Sequence, residues 1–358
     1  MKKTTILLAA FALIGGIAVA QDAPKLILDA RLSANLVTAD LADTSTASGV
    51  ALGGQDNIGA ELKTEKFGAA FLLVGSLANP GSVAIDDYYG WMKFDALKLT
   101  FGETDLRCAD RAKKDESSWG TFEPFKYGAL RNGKTVKESD NIALWKGAEA
   151  AAELSLGDFQ IALGTGTDTV APVSKGAITD AKTNAYDVRN AFAARVAYTV
   201  PETVKFNATV VKYGESNLSV GAFANLLLVK GLSAVVGYSG AIDLKTSANS
   251  VHAVEFRARY AADGLAITTH NNFSFADGTN TLYDMVNVAY KINDTFTPNL
   301  FAMNLNYGTT NVFMVRPCVT VFAAKGATID VGPEFTMTNV GSVSHTVVTM
   351  PVVLRVVY

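Results

Sequence analysis

The sequence predicts an all-β protein whose strands form a transmembrane antiparallel up-and-down β-barrel of eighteen or sixteen strands. Three observations lead to this prediction. Apolar and polar residues alternate along segments of about ten residues, which is the side-chain period of a β-strand. Very short turns alternate with longer polar links between these segments. The printed sequence closes on VVLRVVY, an alternating segment that finishes on an aromatic residue.

Alternation is clearest in LILDARLSANL, residues 26–36, where every second residue is Leu or Ala and the residues between include Asp29 and Arg31. The segments VEFRARYA, NVFMVRPCVTV and ATIDVGPEFTM repeat the pattern, and in all four the charged residues keep to one face. A soluble β-sandwich also alternates, but its loops have similar lengths at its two ends. The choice between these folds therefore depends on the connections.

The connections are asymmetric, because very short turns alternate with longer or more polar links. Eight turns and nine links join eighteen strands, and sixteen result if the weakest segments merge. Short turns on one side and longer loops on the other are typical of bacterial outer-membrane barrels, which leave no open sheet edge in lipid. The turns are Glu65-Lys66, Asp95-Ala96, Gly157-Asp158, Pro201-Glu202, Lys230-Gly231, Asp263-Gly264, Asn293-Asp294 and Lys325-Gly326, and the links lie near 41–55, 77–83, 105–144, 167–188, 214–216, 243–249, 277–280, 307–309 and 338–345.

The first twenty residues, MKKTTILLAAFALIGGIAVA, have the three-part pattern of a secretory signal peptide. We expect cleavage after Ala20, which leaves residues 21–358 as one barrel domain. The alternative is a permanent membrane anchor, but the apolar run from Ile6 to Val19 is shorter than the ~20 residues that a spanning helix needs.

Composition excludes two further classes of protein. The chain has 31 basic and 34 acidic residues, and without Lys2 and Lys3 the balance is 29 to 34, a net charge of −5. This balance argues against a nucleic-acid partner, which requires clustered positive charge. After residue 20 no apolar run approaches ~18 residues, so a helical membrane protein is not supported.

The terminal strand places Val352, Leu354 and Val356 on one face together with a final tyrosine. Such an ending resembles the C-terminal signal by which outer-membrane β-barrel proteins are recognised for insertion, which implies the barrel-assembly machinery as a partner. Aromatic rings near the turns can straddle hydrocarbon and headgroups, so we expect a girdle at the membrane interface. Its predicted members are Tyr198, Tyr260, Tyr290 and Tyr358.

A hairpin at 88–105, YYGWMKFDALKLTFGETD, resembles the one that precedes the third external loop of Gram-negative porins. In that family an aromatic strand with Gly leads through a tight turn into a strand ending L-x-x-G and a charged residue. Glu103 stands where the family often has a basic residue. The match is carried by Tyr89, Gly90, Trp91, Phe94, Leu97, Leu99, Phe101, Gly102 and Glu103.

The resemblance implies an outer-membrane porin of a diderm bacterium, a water-filled channel for passive diffusion of ions and small hydrophilic solutes, commonly a homotrimer. It implies that the third external loop, 105–144, folds into the lumen and opposes acidic residues to arginines of the wall. The candidate constriction residues on the loop are Arg107, Asp110, Arg111, Asp115 and Glu116, and those on the wall are Arg31, Arg195, Arg257, Arg259, Arg316 and Arg355.

The two cysteines allow a disulfide, because secreted proteins reach disulfide-permitting space and two is an even count. Cys108 begins the long loop and Cys318 shares the inward parity of Arg316. A bond would tether the loop to the wall, and two independent thiols are the alternative.

Enzyme, metal and cofactor functions are not expected. The three histidines, His252, His270 and His345, lack metal-ligand spacing. His270 shares inward parity with Asn272 and Ser274, which allows a hydrolase site. A lumen histidine with polar neighbours is the commoner explanation of that pattern. Two other functions remain open, a barrel with an adhesin or surface-interaction role and a substrate-selective channel, for example for sugars.

Overall fold

The computed structural model describes residues 25–41, 51–76, 83–107, 144–166, 191–213, 217–226, 229, 231–247, 250–276 and 279–357. Among these residues, no helix is long and apolar enough to cross a membrane. One antiparallel sheet contains every strand that the structure describes. Its segments are β1 (Lys25–Asp40), β2 (Ala51–Lys63), β3 (Phe67–Ser76), β4 (Val83–Phe94), β5 (Leu97–Arg107), β6 (Leu144–Leu156), β7 (Phe159–Gly166), β8 (Ala191–Val200), β9 (Val204–Tyr213), β10 (Asn217–Leu226), β11 (Leu232–Asp243), β12 (Val251–Ala262), β13 (Leu265–Ala276), β14 (Thr279–Tyr290), β15 (Phe296–Tyr307), β16 (Thr310–Ala324), β17 (Ala327–Val331), β18 (Glu334–Val340) and β19 (Val343–Val357).

The sheet closes on itself because β1 pairs with β19 as well as with β2. Asp29 lies opposite Val357, and Arg31 lies opposite Arg355 in this closing ladder. Each strand from β2 to β15 pairs with its two chain neighbours, as in an up-and-down barrel. The predicted fold class is therefore confirmed.

The segments β17 and β18 are two halves of one spanning strand, since both lie between β16 and β19 in a continuous register. The ladder is interrupted at Gly332-Pro333, opposite Pro317. Neither proline has an N–H to donate, and a Cβ on Gly332 would lie 2.2 Å from the Pro317 carbonyl oxygen. Within the described residues, the nineteen segments thus make eighteen antiparallel passes, which is the higher of the two predicted counts.

Seven of the eight predicted tight turns separate consecutive strands at one end of the barrel, and the eighth, Lys230-Gly231, includes a residue outside the described part of the chain. Three of them hold a non-glycine residue in the left-handed region, at Asp95 (φ 50°), Glu202 (φ 56°) and Asp263 (φ 51°). The strand ends that border the predicted links lie at the opposite end, and three of the predicted boundaries are shifted. The link predicted near 338–345 is reduced to residues 341–342 between β18 and β19. β2 already begins at Ala51, where the glycine-rich start hides its alternation, and β8 begins only at Ala191.

Outward-facing positions carry large apolar side chains over most of the circumference. Val254, Phe256 and Tyr260 on β12 are 48%, 39% and 40% exposed, whereas the intervening Ala253 is buried. On β19, Leu354 is 37% exposed and Val353 is buried. The alternation read from the sequence is confirmed on these strands.

Candidate functional site

The inner wall of the barrel is the candidate site, because strand alternation collects ionised side chains there. On β6 and β8, Glu153 and Arg195 both lie opposite Ala162 of the intervening strand β7. The small Ala162 side chain leaves room for the two longer ones, and the Arg195 Nη2 donates to the Glu153 Oε2 in an ion pair. These side chains are 13% and 23% exposed.

A second ion pair lies on β16 and β18, where the Arg316 Nη1 donates to the Glu334 Oε2 at 3.0 Å. The Arg316 side chain is only 4% exposed, and its guanidinium lies 5.4 Å from the centre of the Phe301 ring. Arg316 lies opposite Phe301 in the β15–β16 ladder. Burial makes this pair depend on both partners, since a lone buried charge is costly.

A chain of hydrogen bonds continues this wall towards the turns. The Asn299 Nδ2 donates to the Thr297 carbonyl and to the Thr320 hydroxyl, both at 2.9 Å. The Thr320 hydroxyl in turn donates to the Asp330 Oδ1, and Asp330 is 1% exposed. The Asp330 carboxylate is thereby held in the wall.

A cavity of about 570 Å³ opens inside the barrel at the turn end of β12–β17 and β19. Its charged lining residues are Arg259, Lys291, Arg355 and Asp263. The Lys291 Nζ lies 2.6 Å from an oxygen of Asp294 in the exposed turn between β14 and β15. The hydrogen bond and the charge of Lys291 lower the pKa of the Asp294 carboxyl.

An apolar cluster covers the inner face of β14–β16 at mid-height. We call it the inner apolar cluster, and each member is at most 6% exposed. The cluster contrasts with the ion pairs elsewhere on the inner wall, because its side chains are withdrawn from solvent. Its members are Tyr283, Met285, Phe301, Met303, Leu305, Val312 and Met314.

The outer face of the same strands carries polar side chains between apolar ones. Asn271, Asp284 and Asn304 are neighbours across β13, β14 and β15, and we call them the outer polar row. The Asn271 Nδ2 donates to the Asp284 Oδ1 at 2.8 Å, and the Asn311 Nδ2 donates to the Asn304 Oδ1 at 2.8 Å. Exposed Leu282 and Val286 flank the acid along β14.

For three further predicted arginines, two on the wall and one at the start of the long loop, the structure gives only the position in the strand. Arg31 lies opposite Arg355, Arg257 lies opposite His270, and Arg107 is the last residue of β5. Among the described residues Cys318 has no disulfide partner, and the predicted disulfide stays a prediction because Cys108 is not among them. Cys108, Asp110, Arg111, Asp115, Glu116 and Tyr358 lie outside the described residues.

Three of the four predicted girdle tyrosines lie on the outside of the barrel, close to turns. Tyr198, Tyr260 and Tyr290 are 49%, 40% and 53% exposed. Tyr290 is the last residue of β14, and Tyr260 and Tyr198 lie two residues before the ends of β12 and β8. This is the position that an interfacial ring requires.

His270 and Asn272 face inwards, as their parity predicts, but they are only 0% and 1% exposed. The His270 ring packs edge-on against Tyr283 at 5.3 Å between centroids. Within the described part of the chain, no group of three potential metal ligands occurs.

Sequence reasoning missed the partners of the two best-placed arginines. Glu153 has the parity opposite to Leu154 and Leu156 in AEAAAELSL, so its inward position was readable. Its pairing with Arg195 was not, because the two residues are joined only through the pairing of β6, β7 and β8. The outer polar row was also missed, since apolar residues occur on both faces of β14 and β15.

No protein-family model and no curated protein matches the chain. Its fold is similar to that of a variant of Rhodobacter blastica porin, with a TM-score of 0.51 and 14% identity over 93% of this chain and 99% of that chain. A second variant of that porin gives a TM-score of 0.52 at 13% identity, again over 93% and 99%. The outer-membrane expressed OmpT of Vibrio cholerae gives 0.51 at 11% identity, over 95% and 99%. The chain thus has the fold of an integral outer-membrane β-barrel of the porin type.

Proposed function

We propose that the protein is a porin that forms a water-filled channel for passive diffusion of ions and small hydrophilic solutes. The observation that carries this proposal is the closed ring of strands with ion pairs inside and exposed apolar side chains outside. A barrel with this polarity lowers the barrier for charged and polar solutes through its lumen, because they remain solvated there.

The proposed location is the outer membrane of a diderm bacterium. Residues 1–20 act as a cleaved signal peptide, and residues 21–358 form the barrel. Exposed tyrosines at the turn end support a membrane-embedded position. The alternating apolar face of β19 supports recognition by the barrel-assembly machinery.

We also propose that the loop at 105–144 narrows the channel. The resemblance of the hairpin at 88–105 to that of porins supports this role, and so does the position of the loop between β5 and β6. Asp110, Asp115 and Glu116 then oppose wall arginines such as Arg195 and Arg316, with Arg107 and Arg111 beside them. Opposed charges in confined water orient polar solutes and set ion preference.

A homotrimer is the proposed assembly, and the outer polar row supports it. An amide or a carboxylate facing acyl chains is costly, whereas a protein neighbour can pair with it. Asparagine amides both donate and accept, so the row can pair with a different polar patch of the next subunit in a cyclic trimer, whose interfaces are heterologous. Cysteine placed at Asn304 and labelled with a photoreactive crosslinker should give crosslinked oligomers in membranes, and the same label at the apolar Leu163 should not. Equal crosslinking at both positions would remove this support.

An enzymatic role is not proposed. The histidine and amide that would serve a hydrolase, His270 and Asn272, are withdrawn from solvent on the inner wall. Substrate would have to displace the packing of Tyr283 to reach the imidazole.

Single-channel recording in planar bilayers tests the channel function. We expect stable conductance steps that grow with salt concentration, and swelling of liposomes in small sugars that declines as sugar size increases. Protein unfolded before reconstitution is the control and should give neither signal. A correctly folded barrel without conductance would contradict the channel and favour a surface-interaction role, and swelling by one sugar alone would favour a selective channel.

A further inference from the structure

We propose that an outward-facing histidine at the loop end of the barrel binds the phosphate group of a membrane-lipid headgroup. The site consists of Tyr238 on β11, His252 on β12 and Phe275 on β13, and we call it the outer ring stack. The proposal rests on the proposed membrane location, because only an embedded barrel brings these side chains against lipid. It gives the outer surface of the barrel a binding partner that differs from any solute in the lumen.

The outer ring stack is an ordered arrangement of three nearly parallel rings. The centre of the His252 ring lies 5.3 Å from that of Phe275, at 20° between the planes, and 6.0 Å from that of Tyr238, at 23°. The Tyr238 hydroxyl and the His252 Nδ1 are 2.6 Å apart and share a hydrogen bond. A glycine opposite His252 makes room for this contact, since a Cβ on Gly240 would lie 3.0 Å from the hydroxyl. The imidazole is therefore held between its two neighbours.

The hydrogen bond between the phenol and the imidazole leaves the pair with one unused donor. If the phenol donates to Nδ1, the proton of the neutral ring is on Nε2, and if Nδ1 donates, the phenol proton is free. Within the described part of the chain, neither Tyr238 nor His252 has another hydrogen-bonding partner. A lipid phosphate offers charged acceptor oxygens, which form stronger hydrogen bonds than neutral acceptors do.

The height of the outer ring stack matches lipid headgroups. His252 is the second residue of β12, and the girdle residue Tyr260 lies eight residues later, near the turn end of the same strand. At a rise of ~3.3 Å per residue and a tilt of ~40°, the two differ in height by roughly 20 Å, and the apolar band of such barrels is about 25 Å tall. Between them the outer face carries Val254 and Phe256, which are 48% and 39% exposed. His252 therefore lies at the loop-end edge of the apolar band, within reach of headgroups.

The surroundings of the stack suit a phosphate that is joined to acyl chains. Phe273 and Phe275 are 42% and 38% exposed, and their rings lie 6.0 Å apart on the outer face of β13. The exposed Asn280 lies opposite Phe275 in the next strand, so its amide can donate to the same headgroup. A donor beside hydrocarbon is costly until it is paired. A lipid pairs the donor and covers the rings, whereas a free phosphate ion would leave the rings uncovered.

Native mass spectrometry of the folded barrel with added phosphatidylglycerol tests the site without requiring conductance. We expect the wild type to retain this lipid and His252→Phe, which keeps a ring in the stack but removes both ring nitrogens, to bind it about tenfold more weakly. Tyr238→Phe removes only the hydroxyl and should lose less. Phe256→Leu, an apolar exchange on the same outer face, is the matched control and should bind as the wild type does. Heat-modifiable migration in gels confirms that each variant is folded.

Two further ligands distinguish the lipid phosphate from other sources of affinity. A diacylglycerol with the same acyl chains lacks the phosphate and should bind the wild type about tenfold more weakly than phosphatidylglycerol does. Inorganic phosphate at the same concentration should not displace the lipid. Equal binding of the diacylglycerol would show that only the acyl chains are bound, and displacement by inorganic phosphate would show a site for the free ion. Either result would overturn the lipid-headgroup site.

A photoreactive phosphatidylglycerol headgroup locates the bound lipid. We expect labelled peptides from β11–β13 in the wild type, and about tenfold less labelling of them in His252→Phe. Equal labelling in the two proteins, or equal retention of the lipid, would overturn the site. Lipid binding by a folded barrel without conductance would contradict the channel function and leave the site supported, whereas a conducting barrel without the lipid contact would do the reverse.

Discussion

Two walls of the same barrel differ in the polarity of their outer and inner faces. On β6–β9 the outer side chains are apolar, as Leu163 and Phe206 show at 59% and 49% exposure, and the inner face holds the Glu153–Arg195 pair. On β13–β16 the outer face includes Asn271, Asp284 and Asn304, and the inner face holds the inner apolar cluster. The polarity of the side chains on each face of a barrel wall therefore follows the medium or the neighbour that this face contacts. Lipid and water explain the first wall, and the proposed oligomer accounts for the polar residues on the outside of the second.

The largest expected effect comes from breaking the buried ion pair of the second wall. Arg316→Met leaves Glu334 uncompensated, and removing one partner of a buried pair costs about 3–5 kcal/mol of unfolding free energy. Arg195→Met in the first wall should cost clearly less, because its pair is more exposed to solvent. Urea unfolding of vesicle-inserted protein measures both losses. Restoration by Arg316→Met with Glu334→Leu would confirm the cause, and equal losses at the two arginines would refute the contrast.

The next effect compares matched leucines on the two walls. Leu305→Ala in the inner apolar cluster empties a site that is 0% exposed and should cost about 2–5 kcal/mol. Leu154→Ala on the outer face of β6, 37% exposed, should cost less since lipid refills the space. The same unfolding assay gives both values. A larger loss at Leu154 would show that the cluster is not packed as described.

Exchanging apolar and polar residues on the outer faces of the two walls should change monomer stability by smaller amounts and with opposite signs. Leu163→Asn introduces an amide among apolar side chains and should destabilise the monomer by about 1–3 kcal/mol. Asn304→Leu should leave the monomer as stable or more stable while weakening oligomers. Unfolding curves and crosslinking yields measure these changes. Oligomers that survive Asn304→Leu unchanged would show that the outer polar row is not an interface.

The smallest effect concerns the turn between β14 and β15. The lowered pKa of Asp294 means that its charged form is favoured in the folded state, by the hydrogen bond and charge of Lys291. The resulting stabilisation is present above the unfolded-state pKa and is lost as the pH falls through the folded-state pKa. Asp294→Asn should therefore narrow the stability difference between neutral and acidic pH by a small amount. Titration of this carboxyl by NMR at its ordinary value would contradict the prediction.

Much of the fold could be predicted because one side of each strand meets lipid, which imposes a period of two on the sequence. LILDARLSANL and VVLRVVY show that pattern, and Leu32 and Leu354 face outwards as expected. The tight turns could be predicted from short pairs of turn-forming residues such as Asp263-Gly264. The interruption at Gly332-Pro333 did not, because it depends on Pro317 of the neighbouring strand.

The polarity of the second wall could not be predicted, because its strands do not alternate cleanly between apolar and polar residues. FTPNLFAMNLNY is apolar at Phe301, Met303 and Leu305 and also at Phe296 and Leu300, so its alternation does not define an inner face. Of the two ion pairs in the candidate site, only the arginines could be predicted. Parity gave Arg195 and Arg316 as inward residues, but their partners depend on which strands are neighbours.

The ladder between β1 and β19 closes the barrel through the two described strands that lie farthest apart in the sequence. The barrel is closed only when β19 pairs with β1, as Val357 does with Asp29. A chain without β19 would have two unpaired sheet edges, and each edge could pair with another copy. Both edges therefore have to be kept from other chains until β1 and β19 have paired.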